Sequence, residues 1–233
     1  MKRLVTLGLA VMIALTALAT SSPTDAHGQT AGLASSVLNR LQRNHENLRS
    51  LRASISMEKY NAQLRDAETF YGAVVYVPKG ERDVAVRIDW SKPQHEILAV
   101  ANGRYTLFRP RLGVAYTGDA KSSKASGDVL DLMNMSGSQV KQKFQPLQDV
   151  REETLWGGVS TIHLKLVPAS KGGASYKYAE IWVDATGMPI QFKVVEKNDD
   201  ASTVRLNNLE KNAKISADEF MLKLDPNVKI IRG

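Results

Sequence analysis

The chain has 233 residues, no cysteine, and 31 lysines and arginines against 24 aspartates and glutamates, for a net charge of +7. Without cysteine neither a disulfide framework nor a thiolate-ligated metal is available, so an apolar core has to hold the fold. The cations are scattered rather than clustered, which excludes a nucleic-acid-binding stripe and assigns the charge to solubility, with weak attraction to anionic lipid as the alternative.

Met1-Lys2-Arg3 is a basic head, Leu4 to Ala19 runs without a charge, and Ala17-Leu18-Ala19 offers small residues at the positions a signal peptidase reads. That order predicts a cleaved secretory signal over 1–19, with a cut after Ala26 as the alternative. The apolar run falls short of the roughly 20 residues that a membrane span needs, and no later segment approaches that length. Residues 20–30 then read as a polar linker and 31–233 as a single domain working in the periplasm. Removing Lys2 and Arg3 with the leader lowers the net charge from +7 to +5.

Leu33, Val37, Leu38, Leu41, Leu48 and Leu51 recur at helical spacing and predict one amphipathic helix. Beyond it the period changes to two. Ala53, Ile55 and Met57 alternate with polar residues, and Phe70 to Val77 is rich in β-branched and aromatic side chains. Val84, Val86, Ile88 and Trp90 alternate with Ala85, Arg87 and Asp89, the clearest half-buried strand in the sequence. Asn102-Gly103 predicts a tight hairpin between 96–101 and 104–109. Further strands are expected at 112–117, 149–155, 159–167, 176–183, 190–197 and 202–209, separated by Gly157-Gly158, Gly172-Gly173, Asp184 to Pro189 and Asn198-Asp199-Asp200. Between them, Asp128 to Ser136 and Gly137 to Phe144 read as one or two short helices. Ser216 to Glu219 fits a capping box, with a last strand expected over 220–224. The fold class is mainly β (α+β): about ten strands in hairpin order, enough for one strongly curled antiparallel sheet.

Catalytic patterns are weak. The histidines at 27, 45, 95 and 163 have no metal-ligand spacing, and no nucleophile elbow or phosphate-binding glycine loop is present. Two S-x-x-K matches, Ser56 to Lys59 and Ser138 to Lys141, lack the companion motifs of serine–lysine enzymes. Asp199-Asp200 and Asp128/Asp131 are explained by turn chemistry and helix N-terminal charge. Neither an enzyme nor a cofactor is expected.

The order of segments resembles the LolA family of periplasmic outer-membrane lipoprotein carriers. Ser50-Leu51-Arg52-Ala53-Ser54-Ile55 is similar to the family's passage from helix to first strand. Ile88 to Pro110, with Pro93 and EILAVANGRYTLFRP, is the most specific stretch; Gly187-Met188-Pro189-Ile190-Gln191 and Val195 to Asp200 look like its late hairpins. The resemblance implies an unclosed β-barrel of 10–11 strands, with an N-terminal helix and a helical lid insertion around an apolar cavity for acyl chains. It implies lipoproteins as cargo, an inner-membrane lipoprotein-releasing ABC transporter as donor, a LolB-like outer-membrane receptor as acceptor, and a monomeric carrier. The absent cysteine favours the carrier over that receptor, itself a lipoprotein. A family arginine that latches the lid maps to Arg82, with Arg87 as the fallback.

On this reading Val84, Val86, Ile88, Trp90, Leu98, Val100, Tyr105 and Leu107 form an apolar wall, and Leu130, Met133 and Met135 cap it, methionine being suited to repacking around variable cargo. The same residues also fit a filled core, because interior alternation is common to filled and hollow barrels. A lipid- or lipoprotein-binding sensor on the same fold, an envelope hydrolase and a purely structural protein remain the competing readings.

Overall fold

The structure is a computed structural model that describes residues 25–78, 84–120, 132–133, 135–169 and 174–233, with side chains from residue 31 onward. Helix α1 (Asp25–Asn47) begins inside the stretch read as a linker. Its first two turns carry no apolar stripe, so periodicity gave no signal there, while Asp25 is favourable at a helix N-terminus.

The strands follow as β1 (Leu51–Asn61), β2 (Asp66–Pro78), β3 (Val84–Lys92), β4 (Glu96–Ala101), β5 (Arg104–Arg109) and β6 (Val114–Asp119). Helix α2 (Gly137–Lys143) precedes β7 (Val150–Leu155), β8 (Val159–Leu166), β9 (Tyr176–Val183), β10 (Pro189–Glu196), β11 (Ala201–Lys211) and β12 (Lys229–Arg232). They make one 12-stranded sheet in the order β12-β6-β5-β4-β3-β2-β1-β11-β10-β9-β8-β7. The sheet is unclosed, with β12 and β7 at its two ends. Every pairing is antiparallel except β12 on β6. Asn102 and Gly103 both take positive φ, 52° and 72°, as the tight β4–β5 turn requires.

The last strand was expected at 220–224, but Phe220 instead closes a 3-10 turn, Ala217–Phe220. The Ser216/Glu219 capping box holds that turn. Phe220 packs on Val75 and Ala85 on the outer face of the sheet, and the chain turns again at Asp225 to Val228 before pairing as β12. Four residues are too few for alternation to reveal a strand.

The inner face carries the main core. Helix α1 buries Val37, Leu38, Leu41 and Leu48 against it and packs along α2 and β7. Two glycines permit this closeness. A methyl group on Gly137, at the start of α2, would collide with the Leu38 carbonyl, and one on Gly187, in the β9–β10 turn, would collide with the Arg40 carbonyl. Gly187 also sits at φ 85°, where a side chain is strained. The Asp184 carboxylate fixes that turn by accepting from the Thr186 and Met188 amides at 2.8 and 2.9 Å. Met188 is thereby fully buried under α1. Ser136 caps α2 and forms a capping box with Gln139, and the Ser138 amide donates to Gln42 of α1 at 3.2 Å. The two helices are therefore tied together where they pack on the inner face.

Candidate functional site

Strand register decides which of the expected wall residues meet. Val86 stands opposite Val100, and Val100 opposite Tyr105; Ile88 stands opposite Leu98, and Leu98 opposite Leu107. Residues opposite one another share a face, so these six, with Val84 and Trp90 two positions away along β3, lie together on the inner face. Val86, Ile88, Trp90 and Val100 are buried in the core, whereas Val84, Leu98, Tyr105 and Leu107 are only partly covered. Met133 and Met135 are buried in the same cluster. Leu130 and Arg82 lie outside the described residues.

Arg87, the fallback for the latch, lies on β3. It sits between two inward residues on a period-two strand, so its side chain lies on the outer face. There its guanidinium bonds both Asp89 carboxylate oxygens, at 2.9 and 3.0 Å, and the Glu219 carbonyl at 3.1 Å. Among the described residues these bonds tie β3 to the C-terminal turn.

Several wall residues were missed from sequence. Met57 of β1 and Phe70 of β2 lie opposite one another on the inner face. Phe70 meets Trp90 edge-on at 5.9 Å between ring centroids, and the Lys59 ammonium lies 5.1 Å above Phe70. Tyr116 of β6 stands opposite Leu107. Beyond them an ion pair closes the strand ends: the Arg109 Nε lies 2.8 Å from the Glu96 carboxylate, and its guanidinium lies over Tyr116. Extending the β3 alternation to β2 and β6 would have found the aromatics. The ion pair joins residues that each look like ordinary surface charges.

The wall so formed is apolar and aromatic, with charge only at one end. That composition favours an aliphatic ligand held by burial rather than by directed hydrogen bonds. A separate cleft of about 290 Å³ lies between α1 and the β7–β8 hairpin, lined by Leu33, Arg40, Glu152, Thr154, Ile162 and Asp184. Its mixed charge suits an acyl chain poorly. Among the described residues no three metal-ligating side chains gather, and no helix is long and apolar enough to cross a membrane.

The outer face of β7–β10 carries a charged cluster around a buried imidazole. His163 is 1% exposed, tilted against Trp182 at 4.8 Å, with its Nε2 3.9 Å from the Glu180 carboxylate. The His163 ring and the Lys193 ammonium hold the Glu180 carboxyl below its ordinary range. Hydrogen bonding to Arg151 does the same for Asp149. These groups flank a sheet whose other side is solid core, and a cleft of about 270 Å³ reaches only the cluster's edge, at Asp149 and Lys165.

The model of the family described as "Outer membrane lipoprotein carrier protein LolA" matches residues 47–223, from the end of α1 through the C-terminal turn. The chain belongs to the LolA family. This is the family that the segments from Ser50 to Asp200 resemble, and it is one of carriers rather than enzymes. No curated protein matches the chain. Among solved structures, an uncharacterized conserved protein from Thermus thermophilus is 10% identical with a TM-score of 0.53, covering 86% of this chain and 99% of that one. MucB is 15% identical with a TM-score of 0.51, covering 85% of this chain and 65% of that one. At such identities the likeness extends to the LolA-like fold alone.

Proposed function

We propose that the protein is exported to the periplasm and carries outer-membrane lipoproteins there, with their acyl chains against the inner face of β2–β6. The observation that supports this most directly is the partly covered apolar wall of Val84, Leu98, Tyr105 and Leu107, in a chain of the lipoprotein-carrier family. Each methylene exposed to water costs about 0.8 kcal/mol, so lipoprotein acyl chains need an escort across an aqueous space. In this structure α1 and α2 pack together on the inner face beside β7 and the β9–β10 turn, and Met133 and Met135 are buried in the core cluster that the wall shares. Loading then loosens the packing over the wall, the methionines repacking around the cargo. An inner-membrane ABC transporter supplies the lipoprotein and a LolB-like receptor accepts it. Arg82 is the residue assigned to latch the empty state, so Arg82→Leu should accept cargo and release it poorly; normal release removes that role.

Native mass spectrometry of the protein purified from its own periplasm, with lipid and peptide analysis of what is bound, tests the carrier reading. Triacylated lipoproteins are the expected finding. Free phospholipid would move the function to lipid transport or sensing. A stable protein complex in place of lipid, such as MucB makes with MucA, would replace the carrier with an interaction module. A protein that is always empty and takes up no lipoprotein from loaded membranes sinks the proposal.

A further inference from the structure

Trp156 is 90% exposed, more than any other large apolar side chain described. It stands in the β7–β8 turn, followed by Gly157 and Gly158 at φ 89° and 78°. The turn is ordered: the Gly158 amide donates to the Leu155 carbonyl at 3.0 Å, and the Arg205 guanidinium donates to the Trp156 carbonyl. The indole is thus held out in water by a fixed backbone, with Val159 beside it also exposed. Burying an indole elsewhere on the chain would stabilise the fold by a few kcal/mol. Keeping it exposed on a braced turn therefore points to an external partner.

Nearby charge indicates which partner. On the outer face next to this turn the Glu153 carboxylate is engaged, accepting from the Trp182 indole at 2.9 Å and from Arg151 at 3.2 Å. Arg205 spends its hydrogen bond on the Trp156 carbonyl, and no carboxylate pairs with its guanidinium among the described ion pairs, so it presents positive charge beside the indole. A lone aromatic on two glycines offers far less than the roughly 800 Å² per partner of a stable protein interface. It does suit the headgroup zone of a bilayer, where an indole and an adjacent cation give weak, reversible attachment.

We infer that the Trp156 turn is a membrane-docking point, its indole seated among the headgroups of an anionic bilayer with Arg205 beside it. Docking there brings the α1–β7 edge of the sheet to the lipid surface. The inference deepens the carrier reading by naming where the carrier meets the membranes between which it moves.

Cosedimentation of the mature, full-length protein with phosphatidylethanolamine vesicles, with and without phosphatidylglycerol, tests it. The wild type should bind the anionic vesicles, and added salt should weaken that binding. Arg205→Gln should lower affinity about fivefold, the factor expected for one basic residue near an anionic surface. Trp156→Ala should lose at least as much, and Trp156→Phe should recover part. Trp156 makes no core contact, so unchanged circular dichroism is expected for both variants. Equal partitioning of wild type and Trp156→Ala, or wild-type binding to a protein but to neither vesicle, overturns the inference. Loading with a purified lipopeptide in the absence of vesicles separates the two proposals. Trp156→Ala should load normally, and loss of loading would make Trp156 a cargo contact instead. Vesicle binding by a wild type that loads no lipopeptide would leave the docking point standing and remove the carrier.

Discussion

One inner face does two different jobs in this sheet. On β8–β11 the inward residues Leu164, Leu166, Ile181, Val183 and Phe192 are completely buried, with Val204 and Leu206 nearly so. On β4–β6 the equivalent positions, Leu98, Tyr105, Leu107 and Tyr116, are half-covered. Helix α1 causes the difference. It ends at Asn47, next to the start of β1, and lies over the β9–β10 turn through Arg40 and Asn44. The tight half is a conventional core that anchors the helix. The loose half is apolar surface that lies away from the α1 contacts.

Substitutions in the two halves should therefore separate stability from loading. Phe192→Ala removes a fully buried ring from the tight half and should cost about 3–5 kcal/mol in urea denaturation. Leu107→Ala truncates a half-covered side chain opposite Leu98 and should cost less than about 1 kcal/mol, yet reduce lipoprotein uptake measured by pull-down from loaded membranes. Equal destabilisation by both would erase the distinction between core and wall.

The glycine contacts probe the boundary between the halves. Gly187→Ala puts a methyl group against the Arg40 carbonyl and strains a residue at φ 85°. It should lower stability by about 1–3 kcal/mol, the usual cost of overpacking. Gly137→Ala meets the Leu38 carbonyl in the same way, but through the short helix α2 rather than the sheet. The expected result is a smaller loss of stability with greater binding of an apolar fluorescent dye, because α2 is pushed off α1. Unchanged dye binding by Gly137→Ala would show that α2 is not part of the closure.

Much of this was legible in the sequence. Period-two alternation placed β3 within two residues at each end and gave its inward set, and turn signals placed β4, β5 and β9. The Asn102-Gly103 dipeptide signalled its own hairpin. The division into tight and loose halves was not legible, because it depends on where α1 lies, and no local pattern encodes the docking of one helix on distant strands. Gly137 and Gly187 looked like ordinary turn or helix residues until the Leu38 and Arg40 carbonyls were seen against them. The first turns of α1 and all of β12 escaped because neither carries a long enough apolar stripe.

Acid should act differently on the two halves as well, through the charged groups on the outer face. Glu180, behind the tight half, is only 17% exposed, and His163 first and Lys193 next lower its pKa. Glu219, behind the loose half, is lowered chiefly by its hydrogen bond from Arg52 at 2.8 Å and is the more exposed of the two, at 34%. For both groups the folded pKa lies below the unfolded one, so the unfolded chain takes up the proton first as pH falls. Their contribution is complete above the unfolded carboxylate value of about 4.3 and is lost as pH falls through the lower folded value. Salt should distinguish the two, since it screens exposed pairs far more than partly buried ones. Glu180→Gln should flatten the acid limb of stability at low and high salt alike, and Glu219→Gln only at low salt. Denaturant midpoints measured from neutral pH into that acid range read both effects. A Glu180→Gln variant with the wild-type acid limb would mean that the carboxylate is not stabilised by the cluster around His163, and that the tight half owes nothing to the charges behind it.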